Sequence, residues 1–188
     1  MKRPPLYVAV HEAGHAISML SSHPPRWEDH VSLTQLPHDA LGFTKGNARF
    51  NSGMAEQLVA AGLRENLIAA AKADVIDLLA GPVAEARFRR ECGATRLINA
   101  HQYAKILAQA DCALPQDHDL AKVHLRLHWC DPTIVREAFI DGWKGAEAVI
   151  KRHWRHVVAV GRWLHRDGHI EDAELFPWWK ERVPIALR

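Results

Sequence analysis

His11, Glu12 and His15 form an H-E-x-x-H motif inside an apolar segment that spans residues 6–20. In an α-helix, residues four apart lie one turn apart on the same face, so the two imidazoles can reach one metal ion. Glu12 points away from that axis, where its carboxylate can take a proton from water that a zinc ion acidifies. The motif predicts a zinc hydrolase site with His11 and His15 as ligands and Glu12 as general base.

An ordinary amphipathic helix with the same three residues is the alternative interpretation of this motif. The neighbouring residues favour the metal site because they are apolar almost all round the helix, which predicts a buried segment. Buried polar groups need partners, and a shared metal ion supplies them. Gly14 costs about 1 kcal/mol in a helix interior relative to alanine, so it predicts a close approach by another backbone.

The composition is that of an ordinary globular protein, with 188 residues, 48% hydrophobic and 24% charged. A formal net charge of +2 gives no reason to expect nucleic acid as a partner. No uninterrupted apolar stretch is long enough for a membrane span, so we expect no membrane insertion. The three cysteines form no C-x-x-C pair, which favours a reducing compartment and predicts a cytoplasmic protein.

The residue pattern predicts a mainly α-helical chain with one small β-hairpin. Residues 31–36 alternate between polar and apolar side chains, and residues 41–45 can pair back on them after a loop. Residues 21–30, rich in proline, histidine and charge, predict a loop. A hairpin beside the metal site can bind an extended peptide as an added strand, whereas an ordinary surface hairpin is an equal alternative.

Helices are expected over most of the chain from Met54 onward. Proline at position 82 must kink or break one of them, and a glycine pair predicts a break in another. The predicted helices cover residues 66–92 with a kink or break at Gly81-Pro82, 96–111, 117–130, 132–166 with a break at 142–145, and 171–182.

A catalytic zinc usually takes three protein ligands and leaves one position for water. Spacing alone does not rank the third ligand, since it reaches the ion through tertiary folding. The candidate donors after the motif are Glu85, His101, Asp111, Asp117, His118 and Asp119.

The chain resembles the peptidase domain of the FtsH family of ATP-dependent zinc proteases. The resemblance covers most of the chain, and the matching segments occur in the same order as in the family. They are V-H-E-A-G-H-A at 10–16, V-S-L at 31–33 with L-G-F-T at 41–44, L-L-A-G-P-V-A-E at 78–85, D-L-A at 119–121, and residues 153–164 with D-G-H-I at 167–170.

This resemblance implies a zincin-like peptidase domain over residues 1–188, with a metal-site core at 1–130 and a C-terminal helical part at 131–188. It implies Asp119 as the third zinc ligand. Glu85 is then either the alternative ligand or a group that orients a ligand histidine. Asp117 lies close enough to Asp119 in sequence to take its role.

The function implied is a metalloendopeptidase that uses Zn2+ to hydrolyse peptide bonds in unfolded or flexible protein segments. The residues expected to align the substrate backbone are Leu41, Gly42, Phe43 and Thr44. The family carries an ATPase module and a membrane anchor, but this sequence has no G-x-x-x-x-G-K-[ST] motif. An ATPase or unfoldase acting in trans is therefore an expected partner, and no oligomeric state is predicted.

The alternative hypothesis assigns the protein a function of a different class. In that hypothesis the peptidase fold serves as a non-catalytic adaptor or regulator that binds a protein partner, and the metal is structural or absent. The intact H-E-x-x-H motif favours the enzyme, because a structural metal site has no use for Glu12. The missing ATPase module favours the adaptor.

Overall fold

The computed structural model of this chain describes residues 4–22, 27–34, 42–46, 52–93 and 135–184. Within these residues the protein is mainly helical with a small antiparallel sheet, as the sequence predicts. The helices are α1 (Leu6–Ser21), α2 (Ser52–Ala60), α3 (Arg64–Glu91), α4 (Val135–Asp167) and α5 (Asp172–Arg182); the strands are β1 (Trp27–Ser32), β2 (Phe43–Gly46) and β3 (His169–Glu171). The helices predicted at 96–111 and 117–130 lie outside the described residues.

The chain divides into two compact units. The first comprises Met1–Asn47, Ala80–Thr95 and Glu147–Arg188, and the second comprises Ala48–Leu79 and Arg96–Ala146. Helices α3 and α4 each contribute residues to both units. The prediction of one domain divided at residue 130 stays a prediction.

Helix α1 lies in the interior of the first unit, as its apolar sequence predicts. Helices α3 and α4 pack closely against α1 at glycine residues. A Cβ on Gly14 would lie 2.5 Å from the carbonyl oxygen of Ala80 and 2.8 Å from the Cβ of Ala84. A Cβ on Gly161 would lie 2.8 Å from Cγ2 of Val10. Side chains at these two glycines would push α3 and α4 away from α1, so the close approach expected at Gly14 is confirmed.

The sheet has the order β2-β1-β3, with both pairs of strands antiparallel. Val31 on the central strand lies opposite Thr44 on β2 and Ile170 on β3. Both α1 and α5 contact this sheet. Val31 and Ile170 are fully buried, so the middle of the sheet joins the apolar core of the first unit.

The predicted hairpin pairs as expected, but the bounds of its first strand are wrong. β1 ends at Ser32, and its first four residues fall in the segment predicted as a loop at 21–30. The predicted strand at 31–36 cannot continue past Ser32 because the side-chain hydroxyl of Ser32 accepts a hydrogen bond from the Thr34 N–H at 3.1 Å. Such a local contact replaces the strand ladder and bends the chain.

β3 follows α4 after a single residue, Gly168, and is a strand that the sequence pattern does not predict. Gly168 has φ +83°, a left-handed conformation that glycine adopts without strain. Its N–H donates to the Leu164 carbonyl at 2.7 Å, and its carbonyl accepts from the Leu33 N–H at 2.7 Å. The glycine thus ends the helix and starts the pairing of β3 with β1.

A kink or a break is predicted at Gly81-Pro82, and the break does not occur. Helix α3 continues through Pro82, with buried Leu79, Ala80, Val83 and Ala84 on both sides of it. This burial offsets the backbone hydrogen bond that proline removes.

The second predicted break, at 142–145, is also wrong because α4 is continuous there. Its glycines instead permit contact within the second unit. A Cβ on Gly145 would lie 2.8 Å from Cδ1 of Ile76, and one on Gly142 would collide with Val75. These glycines allow close helix packing rather than ending the helix.

None of the helices among the described residues is long and apolar enough to cross a membrane.

His153 on α4 is almost fully buried, with 1% of its surface exposed. Its ring lies 5.2 Å from that of Trp179 on α5, and its Nδ1 has no hydrogen-bond partner among the described residues. Burial first, then the charges of His156 and Arg152, lower the pKa of His153 from 6.5 to about 4. The His153 ring is therefore packed in its neutral form.

We expect the protein to lose stability between pH 6.5 and pH 4. In this range the unfolded chain binds a proton at His153 and the folded chain does not, so acidification favours unfolding. One such group contributes a slope of up to about 1.4 kcal/mol per pH unit. His153→Gln should flatten the dependence of the unfolding free energy on pH, measured by urea denaturation. Equal slopes in wild type and His153→Gln would contradict this assignment.

Candidate active site

Helix α1 brings the two motif histidines together. His11 Nε2 and His15 Nε2 lie 3.2 Å apart, with the rings edge to face and their centroids 4.9 Å apart. Two nitrogens bound to one tetrahedral zinc at about 2.0–2.1 Å are about 3.3–3.4 Å apart. The separation in this structure is that of a hydrogen bond between the two rings, and it is also close to the distance between two nitrogens that share a zinc ion.

Glu85 on α3 contacts the other nitrogen of the His11 ring. Its Oε2 lies 3.1 Å from His11 Nδ1, and its Oε1 accepts a hydrogen bond from Arg89 at 2.9 Å. A carboxylate at Nδ1 draws the ring proton to that nitrogen and leaves Nε2 with a free lone pair. The contact selects the tautomer in which Nε2 can bind a metal ion.

The electrostatics around Glu85 favour its charged form. Burial by itself raises the pKa of this carboxyl, but the hydrogen bond and charge of His11, followed by those of Arg89, outweigh burial and lower the pKa below 4.5. An ionised Glu85 is the form that accepts a hydrogen bond from His11 Nδ1–H. Since Glu85 lies on the far side of the His11 ring from His15, its position is that of an orienting group rather than of a ligand beside His15.

Glu12 is buried, with 7% of its surface exposed, and it contacts the strand β2. The Thr44 hydroxyl lies 2.7 Å from Glu12 Oε2 and 3.0 Å from the Glu12 carbonyl oxygen. On the other side, a Cβ on Gly42 would lie 2.6 Å from Glu12 Cγ and 2.7 Å from Oε1. Two of the residues predicted to align a substrate therefore touch the predicted general base.

Gly81 on α3 makes room for His15. A Cβ on this residue would lie less than 3.0 Å from three atoms of the His15 imidazole, including Nε2. His15 is 5% exposed, so its ring has little space into which it can move. Any larger residue at position 81 would displace one of the two helices or turn the ring away from His11.

The structure brings together His11, Glu12, His15, Glu85, Gly42 and Thr44, all in the first unit. Phe43 lies in β2, opposite Ser32. The other predicted site residues, Leu41, Asp117 and Asp119, lie outside the described residues, as do His101, Asp111 and His118. Among the described residues, no group of three or more His, Cys, Asp or Glu side chains is arranged to hold a metal ion.

Sequence reasoning missed two features of this site. Gly81 was accounted for only as a helix breaker, although a glycine inside a helix also signals close approach, as at Gly14. The bond from Thr44 to Glu12 spans 32 residues of sequence, and no local pattern signals it.

No protein-family model matches this chain, and no match was found among curated proteins or solved structures. The resemblance to the FtsH peptidase domain thus rests on the sequence motifs and stays a prediction.

Gly81→Ala should lower the zinc affinity of the protein by at least about tenfold, because the added methyl group displaces the His15 ring. Affinity is measured by competition with a chromophoric chelator. Gly161→Ala is the matched control: it also crowds α1, at Val10, but does not touch either histidine of the motif. Equal zinc affinity in wild type and Gly81→Ala would show that the His15 position does not matter for metal binding.

Proposed function

We propose that this chain is a zinc-dependent metalloendopeptidase of zincin-like fold that hydrolyses peptide bonds in unfolded or flexible protein segments. The observation that carries the proposal is the 3.2 Å separation of the two Nε2 atoms, with Glu85 at Nδ1 of His11. A hydrogen bond between the two rings also accounts for this separation, so the support for a metal site comes from the separation together with the carboxylate that fixes the tautomer of His11.

The donor set fits zinc. His11 and His15 would hold the ion through Nε2, and Glu85 would keep His11 in the required orientation and tautomer. We propose Asp119 as the third ligand, with Asp117 as the nearby alternative. Glu85 is less suited to that role because its carboxylate is engaged by His11 Nδ1 and Arg89.

Zinc, when bound, acts as a Lewis acid that polarises a peptide carbonyl and acidifies water. Glu12 supplies the proton transfers. Its carboxylate accepts a proton from the attacking water as the new C–O bond forms, and then returns it to the amide nitrogen as the C–N bond breaks. The burial of Glu12 supports this role, because a carboxylate on a solvated helix face would have no defined orientation.

The position of β2 in the sheet is evidence for a protein as the substrate. The strand lies at one end of the sheet order β2-β1-β3, so within the part of the chain that the structure describes one of its edges pairs with no other strand. An extended segment can add to such an edge through backbone hydrogen bonds, which accept many sequences but require an unfolded substrate. An ATPase or unfoldase acting in trans would supply substrates in that form, and the cysteine content supports action in the cytoplasm.

Glu12→Gln should abolish cleavage of unfolded casein, with a loss of at least about 100-fold, while zinc remains bound. Digestion is followed by gel and by release of labelled peptides, and zinc content by elemental analysis. Glu56→Gln, at an exposed position on α2, is the control and should retain full activity. Chelation of zinc should stop the wild-type reaction. A wild-type protein that binds zinc but cleaves no substrate would support the adaptor function instead.

Substitutions at Asp119 and Glu85 should affect zinc differently. Asp119→Ala should reduce the zinc content of the purified protein far below one ion per chain, because it removes a ligand. Glu85→Gln should weaken zinc binding by about 10- to 100-fold and still permit full loading at high zinc concentration, because it removes an orienting group. Full zinc content in Asp119→Ala, together with its loss in Glu85→Gln, would make Glu85 the third ligand.

A further inference from the structure

We propose that β2 and Gly42, the residue before it, form a clamp on the general base, in which Thr44 is a positioning residue for the Glu12 carboxylate and Gly42 leaves the space for it. This inference rests on the proposed function, because it assigns a role in proton transfer to residues that contact Glu12. It differs from the sequence prediction, which places residues 41–44 against the substrate.

The first part of the clamp is the hydroxyl of Thr44. It has one proton and two neighbouring acceptors, Oε2 of Glu12 at 2.7 Å and the main-chain carbonyl of Glu12 at 3.0 Å. The carbonyl at position 12 already accepts a hydrogen bond within the helix α1. The shorter distance identifies the Glu12 carboxylate as the main acceptor of the Thr44 hydrogen bond.

The second part of the clamp is the backbone at Gly42. A side chain there would collide with Glu12 Cγ, Cδ and Oε1, at 2.6, 3.0 and 2.7 Å from its Cβ. The glycine therefore lets the strand lie directly against the carboxylate. With Thr44 at Oε2 and Gly42 beside Oε1, the two oxygens of Glu12 have different surroundings.

This difference assigns the two oxygens. Oε2 already accepts the Thr44 hydrogen bond, so we assign to Oε1 the proton that comes from water and later goes to the leaving nitrogen. A glutamate has several rotamers of similar energy, and in one of them Oε2 meets the Thr44 hydroxyl. The hydrogen bond from Thr44 raises the population of that rotamer before substrate binds, which is a gain in the catalytic step and not in substrate affinity.

The test uses Thr44→Val, which keeps the shape of threonine and removes the hydroxyl, and Thr44→Ser, which restores it. For casein-derived peptide cleavage by the zinc-loaded protein, Thr44→Val should lower kcat by about 10- to 100-fold and change KM by less than about twofold. Thr44→Ser should recover kcat to within about threefold of wild type. Thr34→Val, at an exposed position outside the site, is the control and should match wild type.

A rise in KM with unchanged kcat would overturn the clamp and return Thr44 to substrate binding. Unchanged kcat and KM in Thr44→Val would overturn it as well. Both results leave the proposed function intact, since the wild type still cleaves. A wild type without cleavage overturns the proposed function and the catalytic role of the clamp together.

A second readout does not depend on activity. In a double-mutant cycle of Thr44→Val and Glu12→Met, measured by chemical unfolding of the zinc-free protein, the two substitutions should be coupled. Thr44→Val should lower the folding equilibrium constant at least about threefold more in wild type than in the Glu12→Met background. Additive effects would show that the hydroxyl does not bind the carboxylate and would overturn the clamp even in an active enzyme.

Discussion

Close packing of α1 against residues 80–91 of α3 is the contact on which the whole site depends. It is possible because Gly14 and Gly81 carry no side chains where the helices meet. The same contact places Glu85 at His11 Nδ1 and the imidazole of His15 above Gly81. His15 is buried, and His11 and Glu85 are partly buried, so these polar groups need partners, which the opposite helix and the other histidine supply.

The sheet supplies the remaining contacts of the site. β2 contacts α1 and fixes Glu12 through Thr44, while β1 holds β2 in register on one side and β3 on the other. The residue that lets β3 form is Gly168, which lies far from Glu12 in sequence. Three separate segments of the first unit therefore support the side chains of Glu12, Glu85, His11 and His15, which restricts how each can move.

The sequence was sufficient for features that depend on local pattern. H-E-x-x-H within an apolar segment predicts the buried helix α1 and the shared orientation of His11 and His15, and Gly93 predicts the end of α3. The sequence was insufficient for features that tertiary contacts determine. The start of β1 and the continuity of α3 through Pro82 depend on burial and pairing with distant residues, and so does the contact between Thr44 and Glu12.

X-ray absorption spectroscopy of the zinc-loaded protein tests the central claim most directly, because it reports the atoms around the ion. We expect one zinc per chain, bound by two imidazole nitrogens at about 2.0–2.1 Å and by oxygen donors, with the imidazole contribution reduced in His15→Gln. A spectrum dominated by sulfur at about 2.3 Å, or an unchanged imidazole signal in His15→Gln, would contradict the assignment of His11 and His15 as a shared metal site.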